Sequence, residues 1–206
     1  MQEWLELNDV ERDALREVAN IGAGHAATAL SQMTERVIMI NVPEVNVRRL
    51  EEVAELLGPP DTVVAAVAMH MMGDLTGQTM VILPIGAART LCDLLLRKPV
   101  GTTGEFGEME ESSLKETGNI LTSAYLNALS DFMGMMLVPS VPGLVTDYAG
   151  AVLTAAHLNF GRERDVVLCV DTAFRVEGAP DLLHGEFLLL PDAASLTAIF
   201  DAIRLG

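Results

Sequence analysis

Apolar residues return every three to four positions along residues 10–34, where Leu15, Val18, Gly22, Ala26, Ala29 and Met33 share one helical face. Asn8 and Asp9 supply capping groups ahead of this run, and Glu11 places a carboxylate at its positive end. The pattern predicts a helix from about Val10 to Thr34. A strand pattern from Arg36 to Asn46 breaks at Pro43, which predicts an edge or a bulge there. Thr62–Met72 and Gly77–Pro84 flank Gly73-Asp74-Leu75-Thr76 and predict a hairpin. Residues 86–97 are helical in period and stop before Pro99 and the linker Gly101-Thr102-Thr103-Gly104. A second long helix is predicted from about Phe106 to Met133, ended by Gly134, with Leu114, Gly118, Leu121, Tyr125, Ala128 and Phe132 on its apolar face. Strands are predicted near Met135–Val138, over Asp165–Val176 and over Gly185–Leu190, and a helix over Ala193–Leu205. Residues 149–157 fit either a helix or a strand.

The chain repeats itself at an offset of 99 residues. Leu15 meets Leu114, Glu17 meets Glu116, Asn20 meets Asn119, Ile21 meets Ile120, and Val42-Pro43 meets Val141-Pro142. Farther on, Gly77-Gln-Thr-Met-Val-Ile-Leu-Pro84 resembles Gly185-Glu-Phe-Leu-Leu-Leu-Pro191, and an apolar-periodic segment follows each. These matches predict a single domain over residues 1–206 built from two copies of one unit, about 1–99 and 100–206. The fold class expected is α+β, two-layered and pseudo-twofold, with two long homologous helices packed on a mostly antiparallel sheet. The small residues Gly22, Ala23, Ala26 and Ala27 would let the homologous helix pack closely.

Composition narrows the choice of partners. Half of the 206 residues are hydrophobic and only 4% aromatic, so an aliphatic core forms and general disorder is excluded. With 29 acidic and 13 basic residues the net charge is −16, which argues against nucleic acid and against an anionic membrane surface, and favours a partner with a basic patch. The acidic start lacks the features of a signal peptide and no run of about 18 apolar residues occurs, so a cytoplasmic protein is expected. Cys92 and Cys169 lie in apolar contexts and read as buried free thiols. His25, His70, His157 and His184 are scattered without metal-ligand spacing, so no metal is expected. The methionines at 69, 71, 72, 133, 135 and 136 read as core filling, and the acidic runs at 51–52 and 108–111 as solvated or first-turn charges.

On the first long helix Asp13, Glu17 and Asn20 fall in one stripe, continued by Gly24; on the second, Ser112, Glu116, Asn119 and Ser123 do the same. A single polar stripe is ordinary solvated surface. Two stripes that keep Glu and Asn at one spacing while their surroundings differ are another matter, because Asn is a poor helix-interior residue. Neither residue is an activated nucleophile. An exposed carboxylate can pair with a Lys or Arg of a docking partner, and a carboxamide, both donor and acceptor, can hold a water in one orientation. Placing a water is most of the work in phosphoryl hydrolysis.

The pattern Asp/Ser-x3-Glu-x2-Asn-x22-Pro is satisfied by Asp13, Glu17, Asn20 and Pro43, and again by Ser112, Glu116, Asn119 and Pro142. Together with the segment from Glu17 to Ala29 it resembles the CheC/CheX/FliY phosphatases of bacterial and archaeal chemotaxis, and within them the CheC branch, over nearly the whole chain. The resemblance implies that the substrate is the aspartyl-phosphate of the response regulator CheY. It implies that Asn20 or Asn119 orients the attacking water, and that Glu17 or Glu116 pairs with the regulator's active-site Lys. Asp13 and Ser112 are then supporting positions, and Pro43 and Pro142 structural ones. No cofactor is expected on this chain, Mg²⁺ being carried by CheY, and CheD is implied as a partner that modulates activity. Two other readings stay open: an adaptor that binds CheY or CheD without hydrolysis, and a flagellar-switch component.

Overall fold

The computed structural model describes residues 8–205 apart from 42, 60, 161–165, 178, 180 and 181. Val42, from the repeat, and Asp165, the expected start of a strand, therefore lie outside the described residues. Helix α1 (Asp9–Thr34) begins at Asn8, whose side-chain oxygen accepts the Glu11 amide at 3.0 Å while the Glu11 carboxylate accepts the Asn8 amide at 2.9 Å. Then follow β1 (Ile38–Ile40), β2 (Glu44–Arg49), α2 (Leu50–Leu56), β3 (Val63–Gly73), β4 (Gly77–Pro84) and α3 (Ile85–Leu95). The second half repeats the succession as α4 (Glu108–Met133), β5 (Leu137–Pro139), β6 (Gly143–Tyr148), α5 (Ala149–Phe160), β7 (Val166–Val176), β8 (Leu183–Pro191) and α6 (Ala193–Leu205). The expected break at Pro43 separates β1 from β2, and Gly134, at φ 65°, ends α4.

Two elements escaped the pattern, and a third was ambiguous. α2 is too short for a helical period to register, and β6 is an edge strand with mostly exposed side chains, so neither shows a clean alternation. Residues 149–160 form a helix; Val152, Leu153 and Ala156 are its buried contacts.

The strands make one antiparallel sheet in the order β1-β7-β8-β4-β3-β5, with β2 also on β7 and β6 also on β3. Each half therefore lends its first two strands to the other half's long strand, and β4 pairs with β8 at the central seam. The repeated Gly…Pro segments sit at this seam. A Cβ on Gly77 would run into the Leu190 carbonyl, and one on Gly185 would lie 2.5 Å from Leu83 Cδ2, so both positions exclude a side chain.

α1 and α4 cover one face of the sheet, with α3 and α6 at their flanks; Leu15, Leu30, Leu114, Leu121, Phe187, Ile199 and Ile203 belong to this main core. α2 and α5 close a smaller cluster on the other face around Val53, Val152, Leu153 and Leu188. Ion pairs follow the pseudo-symmetry. Arg204, near the end of α6, donates to Glu11 at 2.8 Å, and Lys98, just past α3, pairs with Glu110, the residue 99 positions on. Glu110 is thus a first-turn charge of α4, as its acidic run suggested, but a buried and paired one and not a solvated one. Asp93 is fully buried and ties down the linker: its carboxylate accepts the amides of Gly101, Thr102 and Thr103 at 2.7, 3.0 and 2.9 Å and the Thr103 hydroxyl at 2.6 Å. Among the described residues no helix is long and apolar enough to cross a membrane.

Candidate functional site

The two long helices meet at Gly22, where an added Cβ would lie 2.6 Å from Tyr125 Cδ1 and 3.1 Å from Tyr125 Cα. The small residues of α1 thus admit α4 closely, as expected. Met33 and Thr34 share a notch with Met109 and Ser113, while Leu15 and Val18 line a cavity with Leu126 and Leu129. The start of each helix therefore lies by the end of the other, and the pair is antiparallel. Carrying that register along, Asn20 faces the level of residue 127, eight residues from Asn119, so the two backbone positions are offset by about 12 Å along the helix axes.

Each predicted stripe lies on the outside of the helix pair. Asp13, Glu17, Asn20 and Gly24 are exposed on α1. On α4, Ser112 and Glu116 are exposed, and Asn119 and Ser123 are half-buried. Leu15, Val18 and Gly22 on the first helix, and Leu114, Gly118, Leu121 and Tyr125 on the second, point inward. The structure thus keeps each Glu/Asn pair together and outward, and sets the two pairs on separate helices.

None of the six side chains at 13, 17, 20, 112, 116 and 119 makes a hydrogen bond or ion pair with a described residue, while their neighbours do. Lys115, next to Glu116, is engaged with Glu111 at 3.1 Å, and the Thr117 hydroxyl donates to the Ser113 carbonyl at 2.9 Å. On α1 the Thr28 hydroxyl donates to the Gly24 carbonyl at 2.9 Å. Unspent carboxylates and carboxamides one helical turn apart, fixed on stiff helices, can receive a cation and hold a water presented by another molecule.

The thiols and the histidines differ from the two stripes in kind, the first buried and the second scattered. Cys92 and Cys169 are buried free thiols, and burial pushes them up to about 11 and about 12, away from nucleophilic use. His25, His70 and His184 are exposed and dispersed, and no group of three or more His, Cys, Asp or Glu among the described residues is arranged to hold a metal ion. Two readings of apolar residues are corrected. Met72, at the end of β3, and Met136, in the connection between α4 and β5, are exposed, while Met69 and Met71 are core as expected. Met33 and Phe132 are only partly covered; in the same last turns it is Thr34 that is buried and Met133 that packs against the core. What the pattern missed is the consequence at Met33: a notch of about 400 Å³ beside Glu116. The one available signal was Met109, an apolar residue inside an acidic run.

An internally duplicated α+β fold, with two long helices paired on one face of an antiparallel sheet, defines the structural class. The same fold occurs in FliY of Thermotoga maritima, which superposes with a TM-score of 0.77 at 21% identity over 97% of this chain and 98% of that one. The profile of the CheC-like family matches residues 10–47, the stretch carrying Asp13, Glu17, Asn20 and Pro43. Along 199 residues the chain is 34% identical to the CheY-P phosphatase CheC of Bacillus subtilis strain 168, covering 96% of this chain and 95% of that protein. It is 23% identical to CheC1 of Halobacterium salinarum over 197 residues, 95% of this chain and 97% of that one. The chain belongs to the CheC-like family.

Proposed function

We propose that this protein hydrolyses the aspartyl-phosphate of phosphorylated CheY, and that each ridge is a complete site. Asn20 on α1 and Asn119 on α4 each hold the attacking water in line with the phosphorus. The water oxygen forms the new P–O bond as the bond to the aspartyl oxygen breaks, which leaves inorganic phosphate and a free carboxylate. Glu17 and Glu116 each receive a Lys of CheY from beside the phosphate and fix the register of docking. Asp13 and Ser112, one turn earlier, support that contact.

The observation that carries this reading is the pair of equivalent, outward and internally unpartnered Glu/Asn ridges in a chain of this family. The protein's share of catalysis is placement, so it needs no activated nucleophile of its own. In this reading Mg²⁺ comes with CheY and this chain binds no cofactor. The site of action is the cytoplasm, CheD modulates the activity, and neither nucleic acid nor membrane is a partner.

Phosphate release from purified phosphorylated CheY tests the assignment with Asn20→Ala, Asn119→Ala and the double variant. Losing a group that orients the reacting water costs roughly 2–4 kcal/mol, by analogy with removal of one oxyanion donor. Each single variant keeps the turnover of its intact ridge, and the double falls by roughly 30- to 1000-fold. A double variant with wild-type turnover refutes the roles given to both Asn residues. Binding of phosphorylated CheY without any release by the wild type makes the protein an adaptor.

A further inference from the structure

The notch at the end of the helix pair is lined by apolar side chains and by two carboxylates, Glu108 and Glu116. Leu95 and Leu96, from the end of α3, and Met33, from the end of α1, line it together with Met109 of α4. Met109 is 68% exposed and Met33 39%, so both present bare apolar surface to solvent. Glu108 and Glu116 line it too, and both are exposed. Neither has a cation partner among the described residues, and the cations nearby are engaged elsewhere: Lys98 with Glu110, Lys115 with Glu111 and Arg97 with Glu35. Glu116 belongs to the second ridge as well, so a molecule seated on that ridge also covers the notch.

We propose that this notch is a docking subsite that takes a Lys or Arg side chain of the phosphorylated partner, separate from the Lys that meets Glu116 at the phosphate. The inference rests on the reading of the chain as a CheY-phosphate phosphatase. A long basic side chain is the residue type that fits both parts of the notch. Its methylene stem covers the Met and Leu side chains while its charged head reaches the Glu108 carboxylate. A purely apolar anchor would cover those side chains but strip water from carboxylates left unpaired. An acidic side chain would be repelled. The volume, about 400 Å³, accommodates such a side chain with part of the segment that bears it. The composition recurs at the other end of the helix pair. The residues 99 positions away from Glu108, Met109 and Phe132 are Asp9, Val10 and Met33, and Val10 and Phe132 are 72% and 40% exposed.

The test uses the full chain carrying Asn20→Ala, so that turnover comes from the second ridge. Glu108→Lys and Met109→Asp are added separately, and steady-state hydrolysis of phosphorylated CheY is measured at low and moderate salt. Both are surface changes, and circular dichroism verifies the fold. The expected result is KM raised at least five-fold in each, with kcat within two-fold, and a KM that loses its salt dependence in Glu108→Lys. Unchanged KM in both variants overturns the proposal, as does a fall in kcat alone. Unchanged KM accompanied by loss of CheD binding or of self-association assigns the notch to that occupant and likewise overturns it. Failure of the underlying reading shows separately, as turnover in the Asn20→Ala background that survives the further change Asn119→Ala.

Discussion

Replacing Gly22 by Ala tests how the two ridges are held in place. The added Cβ would lie 2.6 Å from Tyr125 Cδ1 and 3.1 Å from Tyr125 Cα, against the 3.4–4 Å of an ordinary contact. Tyr125 cannot easily yield. Its ring stacks on Phe187 with centroids 4.6 Å apart, and its hydroxyl lies 3.3 Å from the Thr172 hydroxyl in a buried pair. The helices must separate instead, at an overpacking cost of about 1–3 kcal/mol. Ala in place of Gly within a helix returns up to about 1 kcal/mol. The net is a destabilisation of up to about 2 kcal/mol, which for a chain of this size lowers Tm by up to roughly 4–8 °C. Gly24→Ala is the matched comparison. It lies on the same helix two residues on, a Cβ there meets nothing within 4 Å, and the same propensity gain acts without a clash, so its Tm rises. Thermal unfolding followed by circular dichroism gives both values. If Gly22→Ala is as stable as Gly24→Ala, the close approach of α1 to α4 is not what sets their spacing.

Two further outcomes concern buried carboxylates. Burial alone would raise Asp93, but the hydrogen bonds from the Thr103 hydroxyl and the amides of Gly101, Thr103 and Thr102 outweigh it and hold the group below its ordinary value. Its stabilisation is therefore present above the ordinary carboxyl range and lost as pH falls through the depressed native value. Asp93→Asn, which turns an acceptor into a misplaced donor, costs about 3 kcal/mol in urea unfolding at pH 7, and the difference from wild type narrows at pH 3. Glu186 on β8 behaves in the opposite sense: burial and then Asp171, its cross-strand neighbour, push it up to about 7, with Arg48 opposing. Between an ordinary value near 4.5 and 7 the native state holds a proton that the unfolded chain has released, so stability declines with rising pH across that window. Glu186→Gln matches wild type near pH 4 and exceeds it by about 1–2 kcal/mol at pH 8, after allowance for solvent screening of this half-buried group.

Much of this architecture is legible in the chain because the duplication supplies an internal comparison. Leu15 with Leu114 and Gly77 with Gly185 are matched where packing demands it, at the inner face of the long helices and at the β4–β8 seam. Glu17 with Glu116 and Asn20 with Asn119 are matched where packing demands nothing, on exposed or half-buried surface with no internal partner. That contrast is what makes the two stripes candidates for a site, and periodicity alone cannot draw it. The missed features all depend on what covers what. Met33 and Phe132 have the helical phase of core residues, yet in their last turns the covered positions are Thr34 and Met133. Met72 has the phase of a strand residue facing α2 and α5, yet at the end of β3 it is exposed. Glu110 is a first-turn charge as its acidic run suggests, yet its burial against Lys98, delivered by the turn after α3, is not visible in that run.

The exchange of strands between halves explains why two ridges can hold one geometry although the halves differ so widely in sequence. β1 and β2 rest on β7, and β5 and β6 rest on β3, so the strand that follows each long helix is anchored in the other half. The helix ends are pinned the same way, Glu11 to Arg204 from the last helix and Glu110 to Lys98 from the segment before α4. A shift of α1 relative to α4 would strain both seams at once, and Tyr125 seated on Gly22 opposes it at the middle. Residues between these anchors can vary without moving the ridges. The polar stripes therefore keep their place although Asp13 has become Ser112 and Gly24 has become Ser123.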